Sequence, residues 1–490
     1  MKFFITTLFA LFFLPSAVLG QYTVEWAHTF GANGWDEANT CIETRDGEYM
    51  LGGFAKLQEH LLWLVKVRPQ GGGHWGKTFA EYFVSAANSI AETSDSNLVV
   101  TGYAIKKREF QSNLLLMKID TLGNVVWHKI FGGDGDEQGA KVIEASDGGF
   151  AVAGYSTSNN DAEPNWYVLK TDRDGNKLWD KQFGGSADDR ALSIAETYDG
   201  GFVVTGYTGS GDGGRKMMSI IKLDSDGNDV WSQNYPLNDW SSGADIIATK
   251  DSMIMATGYT KAYSITDYDF MTVKTDMNGD SVWIRTFGDE HWQEGTSLIE
   301  TFDNNFVVCG FSMSNVKDQS SFAILKYDKS GNLLWHYIFK RKSQDYAKSV
   351  VETRDNGLLI AGTTFSIGKG WDMAVLKMKS EEKKEIVMDF PSEKDTLSTT
   401  LREQIEIRLC LNGFGVPGGV KILVNGIPQV SADEFTSPGA NAKKTNCEFP
   451  LSYLLNLSHG LNVIRIEVSD SRNYIFDRQV LVYRLPRYDF

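Results

Sequence analysis

Carboxylates and indoles gather just ahead of one recurring position in this chain: Trp35, Asp36 and Glu37; Asp136 and Glu137; Asp188 and Asp189; Trp240; Trp292; and Asp345 with Tyr346. Aromatic rings attract both the C–H faces of sugars and positive charge, so such clusters could stack a sugar or hold a cation. In a plainer reading the tryptophans wedge between structural units and the acids keep a surface soluble. Both readings stay open on sequence alone. The candidate ligand-binding set is Trp35, Asp36, Asp136, Asp188, Asp189, Trp240, Trp292, Asp345 and Tyr346.

Other motifs point away from chemistry. Gly209-Ser-Gly-Asp-Gly-Gly214 matches a phosphate-cradling G-x-G-x-x-G string, but no helix follows it and it joins two strands. Asp172-Arg-Asp-Gly-Asn176 and Asp224-Ser-Asp-Gly-Asn228 resemble calcium loops, yet they lack the later bidentate glutamate, and hairpin-turn chemistry accounts for them. The 7 histidines form no H-E-x-x-H, and no G-x-S-x-G occurs. No catalytic residue, metal or cofactor is expected. Sites in such folds are assembled from distant loops, so a carbohydrate-active enzyme with carboxylates at a channel mouth remains the alternative.

Bulk properties narrow the partners. The net charge of -15 disfavours a nucleic-acid backbone or an anionic membrane surface. Residues 1–20 read as a cleavable export signal, with a positive start, a short apolar middle and small residues at the cut. No later apolar run is long enough to span a bilayer. The mature chain is therefore expected to be secreted, in periplasm, at the cell surface or outside the cell, where disulfides persist. Cys41 and Cys309 sit where other repeats place buried apolar residues and read as core thiols. Cys410 and Cys447 share the last domain and are a candidate disulfide whose geometry the sequence does not supply.

The elements that must position these residues are repeats. Tryptophan recurs at Trp26, Trp75, Trp127, Trp179, Trp231, Trp283 and Trp335, 49 residues apart at first and then 52, and Gly53, Gly102, Gly154, Gly206, Gly258, Gly310 and Gly362 keep the same intervals. Each copy holds four short β-patterned runs joined by Asp-Gly, Gly-Gly and Gly-Asn turns. Four-stranded sheets repeated around an axis make a propeller. Tyr22 to Phe30 is a fourth strand with no first three before it, and Ser349 to Met378 supplies three with no fourth after them. The expected fold is all-β: a seven-bladed propeller over 21–378, closed by the N-terminal strand, then a linker over 379–385 and a β-sandwich over 386–490. Small residues such as Ala38, Gly139 and Ala347 open the innermost strands. Recurring lysines, Lys170 and Lys222 among them, are expected to pack their stems and pair with carboxylates such as Glu144 or Glu196.

The repeat running from Trp179 to Trp231 contains E-T-x-D-G-G-F-V-V-T-G-Y followed by L-x-x-D-G-N-x-x-W. It resembles the repeats of secreted bacterial β-propeller proteins, and its turn-to-tryptophan segment is similar to the tryptophan-docking motif of quinoprotein-type propellers. The tail resembles immunoglobulin-like domains. Quinoprotein dehydrogenases of that group usually have eight blades and an adjacent cysteine pair, and this chain has neither, so the resemblance implies fold rather than redox activity. The expected function is non-catalytic binding or scaffolding, with a protein or glycan partner on the propeller face whose loops are long and variable.

Overall fold

The computed structural model describes residues 22–380 apart from 32–33, 159–162, 211–214, 238–239, 262–267, 290, 314–318, 340–342 and 367–369, and thereafter the strands between 385 and 484. The export signal expected over 1–20 and the last four residues of the G-x-G-x-x-G string, 211–214, lie outside the described residues. No described helix is long and apolar enough to cross a membrane.

Strand β1 (Tyr22–Phe30) precedes a series of four-strand sets. The first set is β2 (Gly34–Glu43), β3 (Tyr49–Lys56), β4 (His60–Val67) and β5 (Gly73–Phe79); the second is β6 (Val84–Glu92), β7 (Leu98–Ile105), β8 (Asn113–Ile119) and β9 (Val125–Phe131). The third is β10 (Glu137–Glu144), β11 (Phe150–Ser156), β12 (Asn165–Thr171) and β13 (Lys177–Phe183); the fourth is β14 (Arg190–Glu196), β15 (Phe202–Thr208), β16 (Met217–Leu223) and β17 (Asp229–Asn234). The fifth is β18 (Ser241–Ala248), β19 (Ile254–Lys261), β20 (Tyr268–Thr275) and β21 (Ser281–Phe287); the sixth is β22 (Gln293–Glu300), β23 (Phe306–Met313), β24 (Ser320–Tyr327) and β25 (Leu333–Phe339). Last come β26 (Gln344–Glu352), β27 (Leu358–Ser366) and β28 (Gly370–Ser380), and β1 pairs with β28 as the fourth strand. A two-residue parallel bridge, Gly34 to Gly370 and Trp35 to Trp371, links this set to the first.

In the first six sets the strands are antiparallel and sequential, and β26, β27 and β28 follow the same pattern. The leading strand of each set touches that of the next, from β2 and β6 round to β22 and β26, and β26 touches β2. Repeated four-stranded sheets in a closed ring are a β-propeller. The leading strands converge, so their side chains must be small: a Cβ on Gly139 would lie 2.2 Å from Thr101 Oγ1 of the preceding set. Middle strands are covered on both faces by neighbouring sheets, and β8 and β12 are buried at every position. Each fully buried Val, Leu, Ile or Phe there contributes roughly 1.5–3 kcal/mol. The thiols of Cys41 and Cys309 belong to this interior, and burial pushes Cys41 up to about 12.

The repeat motif explains itself in contacts. The lysines are buried as expected, but their carboxylate is the aspartate of the first turn rather than the glutamate ending the leading strand. Lys170 Nζ lies 2.7 Å from Asp147 Oδ2 and Lys222 Nζ 3.0 Å from Asp199 Oδ2, and the pairs Lys66–Asp46, Lys118–Asp95, Lys274–Asp251, Lys326–Asp303 and Lys377–Asp355 repeat the pattern. Glu144 and Glu196 instead reach back one set, accepting hydrogen bonds from the amides of Ser94 (2.6 Å) and Ser146 (2.7 Å). The reason is register: Glu144 stands at the end of β10, where it reaches the turn of its neighbour. Tryptophans tie the other turns. Trp179 Nε1 donates to Ser225 O at 3.2 Å and Trp231 Nε1 to Met277 O at 3.0 Å, each in the following set. The Asp172 carboxylate caps its own turn through the amides of Asp174 and Asn176 and the side chain of Asn176.

The remaining strands form a separate unit. One antiparallel sheet holds β29 (Glu385–Asp389), β30 (Gln404–Asn412) and β33 (Phe449–Asn456). The other holds β31 (Gly419–Val424), β32 (Ile427–Ala432), β34 (Gly460–Ser469) and β35 (Ile475–Arg484), in the order β32-β31-β34-β35. Cys410 lies on β30 opposite Val387 and Pro450, whereas Cys447 lies outside the described residues, and the candidate disulfide with it.

Candidate functional site

The first residues of the leading strands lie beside the long loops, and their burial sorts the sequence candidates. Two positions before the small residue, every set turns a polar side chain inward: Asp36, Ser85, Glu137, Asp189, Ser241, Gln293 and Asp345 are all at most 2% exposed. Asp189 shows why. Its carboxylate accepts hydrogen bonds from Thr208 Oγ1 (2.6 Å), the Gly209 amide (2.8 Å), Ser210 Oγ (2.7 Å) and the Gly185 amide (2.8 Å). Asp36 accepts from the Lys56 amide at 3.0 Å, and Asp345 from Ser343 Oγ at 2.9 Å. Buried carboxylates need such partners. Asp36, Asp189 and Asp345 thus hold the loops in place rather than presenting charge to solvent.

The half-buried acids are also engaged. Asp136 accepts from the Ser112 amide and hydroxyl at 2.7 and 2.9 Å. Asp188 meets Lys216 Nζ, Arg190 Nε and the Tyr207 hydroxyl at 2.8, 2.8 and 2.9 Å. Burial alone would raise the Asp188 carboxyl, but these three hydrogen bonds and the Arg190 charge outweigh it and hold it below the usual range. Trp240 is half-buried and its carbonyl accepts the Lys261 amide at 2.7 Å.

One position further along, the strands present Glu37, Arg190, Glu294 and Tyr346, paired across to Phe54, Tyr207, Phe311 and Thr363. The second strands contribute a column that the candidate set lacked. Phe54, Tyr103, Tyr155, Tyr207, Tyr259 and Phe311 each follow the recurring glycine. The signal was in view, because T-G-Y is written in several copies; an aromatic in a strand simply reads as core. Burial pushes the phenols of Tyr155, Tyr207 and Tyr259 upward, and neighbouring phenols and carboxylates add to it. Arg190 stacks over Tyr155 at 4.3 Å and Lys216 over Tyr207 at 3.9 Å.

From the fifth set to the first, the rings run on without a break. Tyr259 meets Tyr268 at 5.3 Å between centroids, Tyr268 meets Trp292 at 5.2 Å, Trp292 meets Phe311 at 6.2 Å and Phe311 meets Tyr346 at 4.8 Å. Tyr346 then meets Trp371 at 5.8 Å, and Trp371 stacks with Trp35 at 6.5 Å. The structure therefore brings Trp35, Trp292 and Tyr346 into one aromatic arc, with Trp35 and Trp292 43% and 39% exposed. Each of these tryptophans donates its indole N–H to a glutamate two residues on: Trp35 to Glu37 at 2.6 Å and Trp292 to Glu294 at 2.7 Å.

Deeper in the ring, polar side chains stitch neighbouring sets together. Asn39, Asn88 and Thr296 donate to the carbonyls of Ala87, Gly139 and Ala347. Lys141 reaches Asp245, two sets away, at 3.4 Å, and Asp245 is held by Ser193, Ser297 and the Leu298 amide. Among the described residues no cluster of three or more metal-ligating side chains occurs.

No protein-family model and no curated protein sequence matches the chain. Solved structures do. A protein of unknown function from Dyadobacter fermentans aligns over 73% of this chain and 99% of its own at 11% identity and a TM-score of 0.43. Sqt1 from Chaetomium thermophilum aligns over 72% and 100% at 9% identity and 0.42. An α-L-arabinanase from Penicillium chrysogenum aligns over 61% and 94% at 10% identity and 0.39. At these scores the likenesses carry no argument about what the chain does.

Proposed function

We propose that the chain is a secreted, non-catalytic binding or scaffold protein. In this reading a seven-bladed propeller docks a protein or glycan partner on its loop face, and an immunoglobulin-like sandwich follows as a spacer or second contact. The aromatic arc from Tyr259 to Trp35 is the observation that supports it: indoles 39–43% exposed beside the ring mouth, on a scaffold whose loops are clamped by buried acids. A preformed surface of this kind incurs little ordering cost on binding. The test is capture from native envelope and medium, and on a glycan array, by the mature chain and by the double variant Trp35→Ala/Trp292→Ala. Loss of a captured ligand by a variant with unchanged melting supports the reading; capture unaffected by the variant overturns it.

A glycan-cleaving reading has one observation in its favour. Burial pushes Glu294 up to about 7, suited to a general acid, while Glu37 on another strand of the mouth is ion-paired with Lys348. Hydrolysis of a glycan by the mature chain, abolished by Glu294→Gln, would put this reading first.

A further inference from the structure

The Trp-x-Glu device occurs twice, and its two copies differ in one respect. In the first set, Glu37 takes the Trp35 indole N–H on Oε1 and an ammonium on Oε2: Lys348 Nζ, from β26 of the preceding set, lies 2.7 Å away. In the sixth set, Glu294 takes the Trp292 indole N–H in the same way. The residue that corresponds to Lys348 there, one position past the small residue of the preceding leading strand, is Ala244, just as Lys348 follows Ala347. Among the described residues no lysine or arginine pairs with Glu294, and its carboxyl is raised by burial with only the Trp292 hydrogen bond opposing. A half-buried carboxylate without a cation is still penalised by its partial desolvation, and the first set shows how this fold satisfies one.

Glu294 holds the Trp292 indole, faces Phe311 across the strand pair and acts on the Tyr259 phenol, and the rings around these specify the cation. Tyr268 and Phe311 flank Trp292, Tyr259 stands edge-on to Tyr268, and Tyr346 packs on Phe311. Aromatic faces favour a cation that sheds water easily and offers C–H surface, which describes an alkylated ammonium better than a metal ion. We propose that Glu294, with Tyr259, Tyr268, Trp292, Phe311 and Tyr346, forms a site for the alkylammonium group of an external ligand, taking the role that Lys348 plays for Glu37. This inference deepens the binding reading and rests on it.

The experiment titrates the mature chain with choline and with tetramethylammonium, followed by tryptophan fluorescence and calorimetry, against the neutral isostere 3,3-dimethylbutan-1-ol and against potassium chloride. The expected result is saturable binding of both ammonium ions, weakened about tenfold or more by Glu294→Gln, as loss of a partly desolvated cation contact implies. The isostere and potassium should bind far more weakly. Ala244→Lys, which installs the ammonium within the chain, should abolish choline binding while leaving the protein folded. Equal binding of choline and its neutral isostere, absence of choline binding, or full binding retained by Glu294→Gln would overturn the proposal. If choline fails but partner capture is still lost in Trp35→Ala/Trp292→Ala, the ammonium chemistry falls and the binding face stands.

Discussion

Lys170 Nζ lies 2.7 Å from Asp147 Oδ2, with the lysine side chain 4% exposed and the aspartate 56% exposed, so a buried ammonium is tethered to a carboxylate that reaches water. This pairing recurs in every set of the ring. Because the lysine sits between packed sheets, its charge depends on that tether and on the Thr171 carbonyl at 3.1 Å. Asp147→Ala should destabilise the ring by about 2 kcal/mol, less than for a fully buried pair because water reaches the site. Asp147→Ala/Lys170→Met should recover most of that loss, since it removes the stranded charge. Urea midpoints of the single and double variants check this; a double variant no more stable than Asp147→Ala would show that the lysine stem, not its charge, matters.

The same column sets the acid limit of the fold. Burial pulls the Asp46, Asp199 and Asp303 carboxyls up, but hydrogen bonds from lysine and threonine and the lysine charge outweigh it and hold them at about 2. The folded carboxyls release protons more readily than the unfolded ones, whose value is about 3.9. Stability from these pairs is therefore complete above about pH 4 and is lost as pH falls toward 2. Melting temperature should hold steady from pH 7 to 5 in this respect and drop steeply below 4. Asp199→Asn/Lys222→Met should make that drop shallower.

How much of this was legible in the sequence depends on what periodicity encodes. The tryptophan and glycine columns fixed the repeat, and the expected N-terminal strand, Tyr22 to Phe30, is β1. The column of lysines was visible too, but not its partner, because Glu144 and Asp147, three residues apart at the end of a strand and in the turn after it, look alike until the register decides which one faces the ammonium. Acids at the rim were read as one class. Alternation along the strand separates Asp189, turned inward onto Gly209 and Ser210, from Asp188, which meets Lys216 at the surface. The aromatic arc joins residues from four sets, among them Tyr259, Trp292, Tyr346 and Trp35, and no local pattern brings them together.

The turn glycines answer to two demands, and the first and second turns of the fourth set let them be measured apart. Gly200 (φ +76°) and Gly227 (φ +78°) share a left-handed backbone, but a Cβ on Gly200 would meet nothing within 4 Å whereas one on Gly227 would lie 2.7 Å from the Trp179 ring. Gly200→Ala should cost about 1 kcal/mol from backbone strain alone. Gly227→Ala should cost more, about 2–3 kcal/mol, because the docked indole must shift as well. Denaturation midpoints for the two variants give the difference. Equal losses would mean that the indole yields freely and that docking by Trp179 adds little to the joint between sets.

Glu294 should leave its own mark on stability. Burial raises its carboxyl from the ordinary 4.5 to about 7, so the folded protein binds a proton more tightly there than the unfolded chain does. Folding then favours the protonated form, and stability falls as pH rises from about 4.5 to 7 and levels off above, by about 3 kcal/mol across the window. Of the titratable groups around it, Tyr259 on β19 feels its charge, Tyr268 on β20 packs on its hydrogen-bond partner Trp292, Tyr346 on β26 packs on its cross-strand neighbour Phe311, and His291 in the preceding loop pairs with Asp289 at 2.9 Å. Glu294→Gln should flatten the pH dependence of the melting temperature between 4.5 and 7 and raise stability at pH 7. Choline at saturating concentration should favour the ionised carboxylate and so flatten the same window in the unmodified protein. A pH profile unchanged by Glu294→Gln would mean that water reaches the carboxylate and that its burial imposes no penalty for a cation to relieve.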